Sequence, residues 1–232
     1  MIGFSIVIPV FNESKNLSIL IEEIFDSLKR YNEFEIIIVN DGSNDDTAKV
    51  LKKIKKNYSI KIINNKSNYG QSYSIRVGVK NSKYNTIVTI DGDGQNNPKD
   101  IINLLEIYYS KKVFSLVGGI RSKRKDSLIK VTSSIIANNI RSIILKDNCV
   151  DTGCSLKVFD KDVFLGFPYF DGLHRFLPAL FKGFGKKTFF VKVDHRSRIS
   201  GISNYGILGR LFKGIFDIIR VITIIRNSKF KD

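Results

Sequence analysis

Acidic side chains follow two apolar runs of this sequence. Residues 34–40 end directly before Asp41, and residues 86–90 end directly before Asp91, with Asp93 two positions further on. Both runs are rich in β-branched residues, which is typical of buried strands in a parallel sheet. Carboxylates that follow such strands lie at the carboxyl edge of the sheet, where open α/β folds bind their ligands.

The second acidic segment carries oxygen-bearing side chains at alternate positions, namely Asp91, Asp93 and Gln95. Mg²⁺ and Mn²⁺ prefer oxygen ligands and often share them with the phosphates of a substrate. A cation of this kind neutralises a nucleoside diphosphate as it leaves. We therefore predict an Mg²⁺ or Mn²⁺ site here, although aspartates in a glycine-rich turn are also common turn formers.

Two segments supply further candidate residues at the same sheet edge. Pro9 cannot donate to a ladder and so ends the first strand, which brings Asn12 and Glu13 beside the predicted pocket. Asp41 and Ser43, in the turn after the second strand, are candidates for contacts with a nucleobase or ribose. In the alternative reading, Asn12 caps a helix, Glu13 interacts with its dipole, and Asp41 only shapes a turn.

Other chemistries are disfavoured by what the sequence lacks. Neither a G-x-G-x-x-G fingerprint nor a P-loop is present, so dehydrogenase and P-loop functions are poor candidates. The two histidines, His174 and His195, are too few for a histidine-rich metal site. The two cysteines, Cys149 and Cys154, fit neither a disulfide framework nor a zinc motif, and we expect reduced, structural thiols in a cytoplasmic protein.

The composition is that of a basic globular protein. The chain has 232 residues, 43% of them hydrophobic, and a formal net charge of +16. Such a charge favours anionic partners, although a general bias towards lysine, asparagine and isoleucine accounts for it equally well. No uncharged apolar run reaches about 18 residues, and the first residues lead straight into a strand, so we expect neither a membrane span nor a leader peptide.

Periodicity predicts strands and helices in regular alternation over the first half. The predicted strands are 4–9, 34–40, 60–64 and 85–90, and the predicted helices are 13–30, 45–56, 71–81 and 98–109. In the second half, strands are predicted over 113–118, 150–159 and 186–194, and helices over 126–145 and 207–225. This α/β pattern predicts a Rossmann-like, mostly parallel sheet flanked by helices.

We expect a single domain over residues 1–206, with a nucleotide-binding half of about 1–110 and an acceptor half of about 111–206. For residues 207–232 we expect a basic, amphipathic C-terminal helix and tail. Such a helix either lies in a membrane interface or packs on the core, and the sequence favours neither.

Several segments together resemble the family 2 glycosyltransferases of the GT-A fold, in particular the branch that includes dolichyl-phosphate mannose synthase and bacterial polyprenyl-phosphate glycosyltransferases. The matching segments are 5–13, 38–43, 91–98, 151–157 and 171–178. Asn40 and Ser155 depart from the residues that are common in the family, which are Asp and Gly. Neither position is a predicted metal ligand.

The resemblance implies roles for the candidate residues. Pro9, Asn12 and Glu13 would border the nucleotide, and Asp41 would contact its base or ribose. Asp91 would face the sugar and phosphates, while Asp93 and Gln95 would hold the metal. The basic residues expected at the phosphates are Arg121, Arg196 and Arg198, and the last two, with Ser203, resemble a mobile loop hinged at Gly201 and Gly206. A solvated basic loop is the alternative.

The implied activity is a metal-dependent, inverting transfer of a hexose from a GDP-mannose or UDP-hexose type donor to a polyprenyl or dolichyl phosphate. Asp91, Asp93, Arg121 and Arg198 would carry the catalysis. The protein would lie at the inner face of the membrane as a peripheral protein, alone or beside a membrane-protein partner, and would bind no nucleic acid.

Two alternatives stay open for the function. The first is transfer to a saccharide or small molecule in cell-envelope glycan synthesis, with Asp171 or His174 as base. The second is a non-catalytic basic module that binds membrane or nucleic acid.

Overall fold

A seven-stranded sheet forms the centre of the computed structural model. The structure describes residues 3–110, 114–122, 141–197 and 207–228, and for residues 114 and 207–213 it describes the backbone alone. The strands are β1 (Phe4–Val10), β2 (Phe34–Asn40), β3 (Ile60–Asn64), β4 (Thr86–Thr89), β5 (Phe114–Arg121), β6 (Lys157–Asp160) and β7 (Lys187–Val193). Their order is β3-β2-β1-β4-β6-β5-β7. Only β6 runs antiparallel to its neighbours, so the predicted mostly parallel sheet is confirmed.

Helices cover both faces of the sheet. They are α1 (Leu17–Ser27), α2 (Thr47–Asn57), α3 (Gln71–Lys80), α4 (Asp100–Ser110), α5 (Lys161–Gly166), α6 (Leu177–Gly183) and α7 (Ile207–Ser228), with a 3₁₀ turn at Leu173–Arg175. Strand β1 divides the core, because Ile6 and Ile8 pack towards α1, α2 and α4, whereas Val7 packs towards α3, α5, α6 and α7. This alternation follows from the period of two along a strand.

Three predicted elements differ from the structure. The strand predicted over 150–159 comprises only β6, because residues 151–156 form an irregular segment that borders the acidic turn. The first helix begins at Leu17, and Asn12 does not cap it: Asn12 has a φ of 57° and accepts a 2.9 Å hydrogen bond from the Asn44 backbone. Of the helix predicted over 126–145, residues 141–145 are helical and the rest lie outside the described residues.

The C-terminal helix α7 packs through one face and exposes the other. On the packed face, Asp217 and Val221 are buried, and Ile225 lies against Gly183 of α6, where a Cβ atom would approach it to 2.5 Å. On the other face, Ile215 and Phe216 are 52% and 70% exposed. Among the described helices, none is both long and apolar enough to cross a bilayer.

Candidate active site

The parallel arrangement of β1, β2 and β4 brings their carboxyl ends together. The backbone N–H of Asp41 donates a 2.8 Å hydrogen bond to the carbonyl of Val10, which joins the ends of β1 and β2. On the other side of β1, Pro9 lines a small cavity together with Asp91. The predicted nucleotide and metal residues therefore share one edge of the sheet.

Asp91 is fixed from several directions. The side-chain amide of Gln71, the first residue of α3, donates a 2.7 Å hydrogen bond to Oδ1 of Asp91. The backbone N–H of Asp91 donates to Oγ of Ser155 at 3.2 Å, and that hydroxyl donates to Oδ1 of Asn96 at 2.8 Å. Ser155, a departure from the family pattern, thus ties the acidic turn to the irregular segment before β6.

The environment of Asp91 disfavours the ionised form of its carboxyl group. Burial, followed by the neighbouring charge of Asp93, raises the pKa of Asp91 to about 7, although the hydrogen bond with Ser155 and the charges of Lys157 and Arg121 act in the opposite direction. Two carboxylates crowded in a partly desolvated site attract a cation, because its charge removes their repulsion and compensates for lost solvation.

A polar pocket opens beside these carboxylates. It is lined by Asp91, Asp93, Gln95, Asn96, Arg121, Gly153, Cys154, Ser155 and His195. His195 reaches the acidic turn because its backbone forms an antiparallel bridge with Asn96, and the next N–H, of Arg196, donates to the carbonyl of Gln95 at 2.8 Å. The structure therefore brings together all three predicted metal ligands and adds an imidazole.

The residues of this pocket fit a divalent cation that shares its coordination with a ligand. Within the part of the chain that the structure describes, no three His, Cys, Asp or Glu side chains converge to hold a metal ion. The predicted ligands in the pocket lining are two carboxylates and the amide of Gln95, an oxygen set that suits Mg²⁺ or Mn²⁺. Such a set leaves coordination positions for the oxygens of a phosphorylated substrate.

Arg121 lies at the end of β5 and lines the same pocket. Its Nε and Nη2 atoms each donate a 2.8 Å hydrogen bond to the carboxylate of Asp151, and its backbone N–H donates to the same carboxylate at 3.1 Å. The guanidinium is thereby held in one orientation beside Asp91 and Asp93.

Asp41 is nearly inaccessible, with 3% of its surface exposed. Its carboxylate accepts hydrogen bonds from the Asn65 side chain at 2.7 Å and from the backbone N–H groups of Tyr69 and Gly70 at 3.1 and 2.8 Å. The carboxylate therefore holds the loop between β3 and α3 against the end of β2. Its predicted contact with a base or ribose stays a prediction.

The loops after β1 and β2 are joined by the other predicted nucleotide residues. The backbone N–H of Asn12 donates to Oγ of Ser43 at 3.0 Å, and that of Glu13 donates to Oγ1 of Thr47 at 3.0 Å. Ser43 in turn donates its N–H to Oδ1 of Asn40 at 3.2 Å. These contacts hold the segments after β1 and β2 together at the carboxyl edge of the sheet.

Arg196 lies beside the acidic turn, but its side chain is directed to α1. Its Nη1 donates to both carboxylate oxygens of Glu23 at 2.7 and 2.9 Å, and its Nη2 donates to Asn97 at 3.0 Å. The other predicted loop residues, Arg198 and Ser203, lie outside the described residues.

Four site residues were not assigned a role from the sequence: Gln71, Asp151, Ser155 and His195. Asp151 and Ser155 lie in segment 151–157, which resembles the family, so the resemblance marked the segment but gave neither residue a chemical role. For Gln71 and His195 we find no local signal, because each lies at least 20 residues from its partner in the acidic turn.

Comparison with known proteins identifies related sequences. The family model "Glycosyl transferase family 2" matches residues 5–166. Dodecaprenyl-phosphate galacturonate synthase of Rhizobium johnstonii is 32% identical over 228 residues, which cover 96% of this chain and 67% of that protein. Undecaprenyl-phosphate 4-deoxy-4-formamido-L-arabinose transferase of Pectobacterium atrosepticum is 31% identical over 223 residues, 94% of this chain and 67% of that protein.

Solved structures share the fold at low sequence identity. Glucosyl-3-phosphoglycerate synthase of Mycobacterium tuberculosis, crystallised with Mn²⁺, uridine diphosphate and phosphoglyceric acid, matches with a TM-score of 0.71 at 15% identity, over 95% of this chain and 77% of that one. Mannosyl-3-phosphoglycerate synthase of Rubrobacter xylanophilus matches with a TM-score of 0.71 at 14% identity, over 100% of this chain and 76% of that one.

Proposed function

The chain belongs to glycosyl transferase family 2 and is a glycosyltransferase, and we propose that it transfers a hexose from a nucleoside diphosphate sugar to a polyprenyl phosphate. The resemblance seen in the sequence and the GT-A fold are confirmed. The observation that carries the proposed acceptor is the match, at 31–32% identity over nearly the whole chain, to two enzymes named for polyprenyl-phosphate sugars.

In the proposed reaction, a phosphate oxygen of the acceptor attacks the anomeric carbon, the bond from that carbon to the diphosphate breaks, and the nucleoside diphosphate leaves with inversion. The attacking oxygen is already anionic, so no general base is required. The work of the protein is alignment and neutralisation of charge. Arg121 supports this role, since its guanidinium is oriented in the pocket that contains Asp91 and Asp93.

We propose that Asp91, Asp93 and Gln95 hold Mg²⁺ or Mn²⁺, and that His195 lies within reach of the same site. A bound cation would stabilise the charge that develops on the leaving diphosphate. The raised pKa of Asp91 supports the proposal, because a carboxylate kept in an unfavourable environment gains most from a nearby positive charge.

The nucleotide is proposed to lie along the ends of β1 and β2. Pro9, Asn12, Glu13, Asp41 and Ser43 would border it there. Arg196, Arg198 and Ser203 remain proposed contacts of the phosphates. For Arg196 this requires release from Glu23, to which it is bound by two hydrogen bonds.

We further propose that residues 1–206 act as one domain, with donor and acceptor halves on one sheet. Strands β5, β6 and β7 of the second half continue the sheet of the first half, which supports this organisation.

The exposed face of α7 is proposed to rest on the inner membrane surface that carries the acceptor. Ile215, Phe216 and Ile219 form an apolar stripe on this face, and Arg220 and Arg226 are exposed beside it. Apolar residues flanked by arginine suit the interface of an anionic membrane. The opposite face packs on the protein, so in this proposal the helix would combine the two roles that the sequence left open.

The decisive experiment is a transfer assay with purified protein. GDP- and UDP-sugars are offered with Mg²⁺ or Mn²⁺ and a polyprenyl phosphate in detergent. We expect lipid-linked sugar from the wild type and at least about 10²-fold less from Asp93→Ala, because a metal-binding carboxylate is lost. Asp46→Ala is the matched control, since Asp46 is an exposed aspartate whose carboxylate pairs with Lys49 in α2.

Other outcomes of the assay distinguish the alternatives. Transfer to a saccharide or small molecule, but not to the lipid, would replace the proposed acceptor. Equal activity of the Asp93→Ala variant would contradict the proposed metal site. Failure to bind any nucleotide sugar would overturn the proposed donor.

A further inference from the structure

The carboxylate of Asp151 holds the guanidinium of Arg121 along one edge. Nε and Nη2 of Arg121 donate to different oxygens of Asp151, both at 2.8 Å, and the two side chains are only 16% and 5% exposed. The backbone N–H of Arg121 binds the same carboxylate. A planar guanidinium held by two parallel hydrogen bonds has a single orientation, which a lysine could not reproduce.

Gly153 provides the space that this orientation needs. A Cβ atom at position 153 would lie 2.7 Å from Nη2 of Arg121 and 3.6 Å from Oδ1 of Asp151. Because its φ is not in the left-handed region, the glycine is required here for space and not for its backbone conformation. Any larger residue would displace the guanidinium.

The oriented guanidinium belongs to the polar pocket. Arg121 and Gly153 line it together with Asp91 and Asp93. A displacement of Arg121 would therefore change the pocket in which the proposed chemistry takes place.

We propose that Asp151 and Gly153 are positioning residues that direct the Arg121 guanidinium towards phosphate oxygens of the substrate. The inference rests on the proposed function, because it assumes a phosphorylated substrate in this pocket. The group that Arg121 would bind is a phosphate, which belongs either to the donor diphosphate or to the acceptor. In this role, Asp151 and Gly153 act through Arg121.

A double-mutant cycle tests this coupling. Asp151→Asn keeps the shape of the side chain but loses its charge, and we expect it to lower kcat by about 10²-fold, since small misplacements of a reacting group have effects of that size. In an Arg121→Ala background, the same change should have almost no effect, because there is no guanidinium left to position. An equal loss in both backgrounds would show a purely structural role and overturn the proposal.

Gly153→Ala provides a second route that leaves every charge in place. It should lower activity in the wild type and not in the Arg121→Ala background. Asp147→Asn is the matched control: Asp147 is a buried partner of Arg141 that does not line the pocket, so its effect should be the same in both backgrounds. Melting temperatures show whether each variant is folded.

The binding of UDP and GDP, measured by calorimetry, completes the test. If Arg121 contacts the donor, Asp151→Asn and Gly153→Ala weaken nucleotide binding, and the loss disappears in the Arg121→Ala background. If Arg121 contacts the acceptor, the variants bind nucleotide like the wild type. The non-additive effect with Arg121→Ala then appears in KM for the polyprenyl phosphate or in kcat. If the losses in nucleotide binding, KM and kcat are all additive with Arg121→Ala, the proposal is overturned. If the wild type is inactive, only the proposed function is overturned, and the same double-mutant cycle measured by nucleotide binding then tests the positioning role.

Discussion

Gln71 and Asp91 are joined by a 2.7 Å hydrogen bond from the side-chain amide Nε2 to the carboxylate Oδ1. The two residues lie on different elements, one at the start of α3 and the other after β4. The bond fixes the rotamer of a carboxylate whose pKa is already raised by burial and by Asp93. The orientation of Asp91 therefore depends on where α3 begins.

We expect Gln71→Leu to lower kcat by about tenfold, since a hydrogen bond to a charged group contributes about 1.5–3 kcal/mol. Gln71→Glu should have a larger effect, because it places a third carboxylate beside Asp91 and Asp93. Steady-state kinetics and melting temperatures measure both changes. Wild-type kinetics in the Gln71→Leu variant would mean that Asp91 does not need this partner.

The raised pKa of Asp91 predicts how stability depends on pH in the metal-free protein. The folded state binds the proton with a pKa of about 7 and the unfolded state with one near 3.8, so protonation favours the folded state. This contribution to stability is present at low pH and is lost as the pH rises from about 4 to about 7. The Asp91→Asn variant should lack this pH-dependent contribution, because asparagine does not titrate.

The measurement is the melting temperature at a series of pH values in the presence of a chelator. The difference between Asp91→Asn and the wild type should grow as the pH rises towards 7, with the variant the more stable. A constant difference over this range would contradict the prediction.

Two glycine-to-alanine changes should have opposite effects on stability. Gly78 of α3 packs against β1, and a Cβ atom there would overlap Cγ1 of Val7 and lie 3.3 Å from Cγ2 of Val39. Gly78→Ala should lower the free energy of unfolding by about 1–3 kcal/mol through overpacking. A Cβ atom at Gly166 would meet no other atom within 4 Å, so Gly166→Ala should be neutral or stabilising by up to about 1 kcal/mol. Denaturant titration compares them, and equal values would contradict the packing argument.

The proposed membrane contact of α7 predicts a loss of lipid binding when a charge is added to its exposed stripe. Ile219→Glu and Phe216→Glu should weaken binding to vesicles that contain anionic lipid, because a carboxylate is disfavoured at this interface. The control is Ile19→Glu, which makes the same change at a 47% exposed isoleucine in α1, on the opposite face of the sheet.

Vesicle flotation measures this binding at low and high salt. Equal losses for Ile219→Glu and Ile19→Glu would show that net charge alone determines it. Transfer to acceptor in detergent should be retained by both variants, which separates lipid docking from catalysis.

Both cysteines should be inert in the native protein. Cys149 and Cys154 are free thiols and are each 1% exposed, and burial raises the pKa of Cys149 to about 11 and also raises that of Cys154. Since only the thiolate reacts, a thiol reagent at neutral pH should label neither until the protein unfolds. Rapid labelling of the folded protein would contradict the prediction.

Local pattern in the sequence determined most of the first half of the fold. The β-branched runs at β2 and β4, the helical spacing in α2 to α4, and the turns at Asp41 and Asp91 are all short-range features, and these elements were predicted within about two residues of their observed bounds, whereas α1 is shorter than predicted at both ends. Parallel strands separated by helices place their carboxyl ends at one edge, so the same pattern also predicted that the candidate residues after β1, β2 and β4 lie at one edge.

The second half depended on long-range pairing. Strand β6 is only four residues long and runs antiparallel between β4 and β5, and its length is limited because the preceding residues contact the acidic turn and Arg121. Periodicity cannot reveal such a limit, since it arises from partners 30 or more residues away.

The tertiary structure also decided which polar side chains meet. Asp91 and Asp93 could be recognised as a site because they are neighbours in sequence, whereas Gln71, Asp151 and His195 join them or Arg121 only through packing of the sheet and its helices. The direction of Arg196 towards Glu23, 173 residues away, is another such outcome. A hydrogen bond depends on distance and angle between atoms, and for residues far apart in the chain only the folded backbone sets these values.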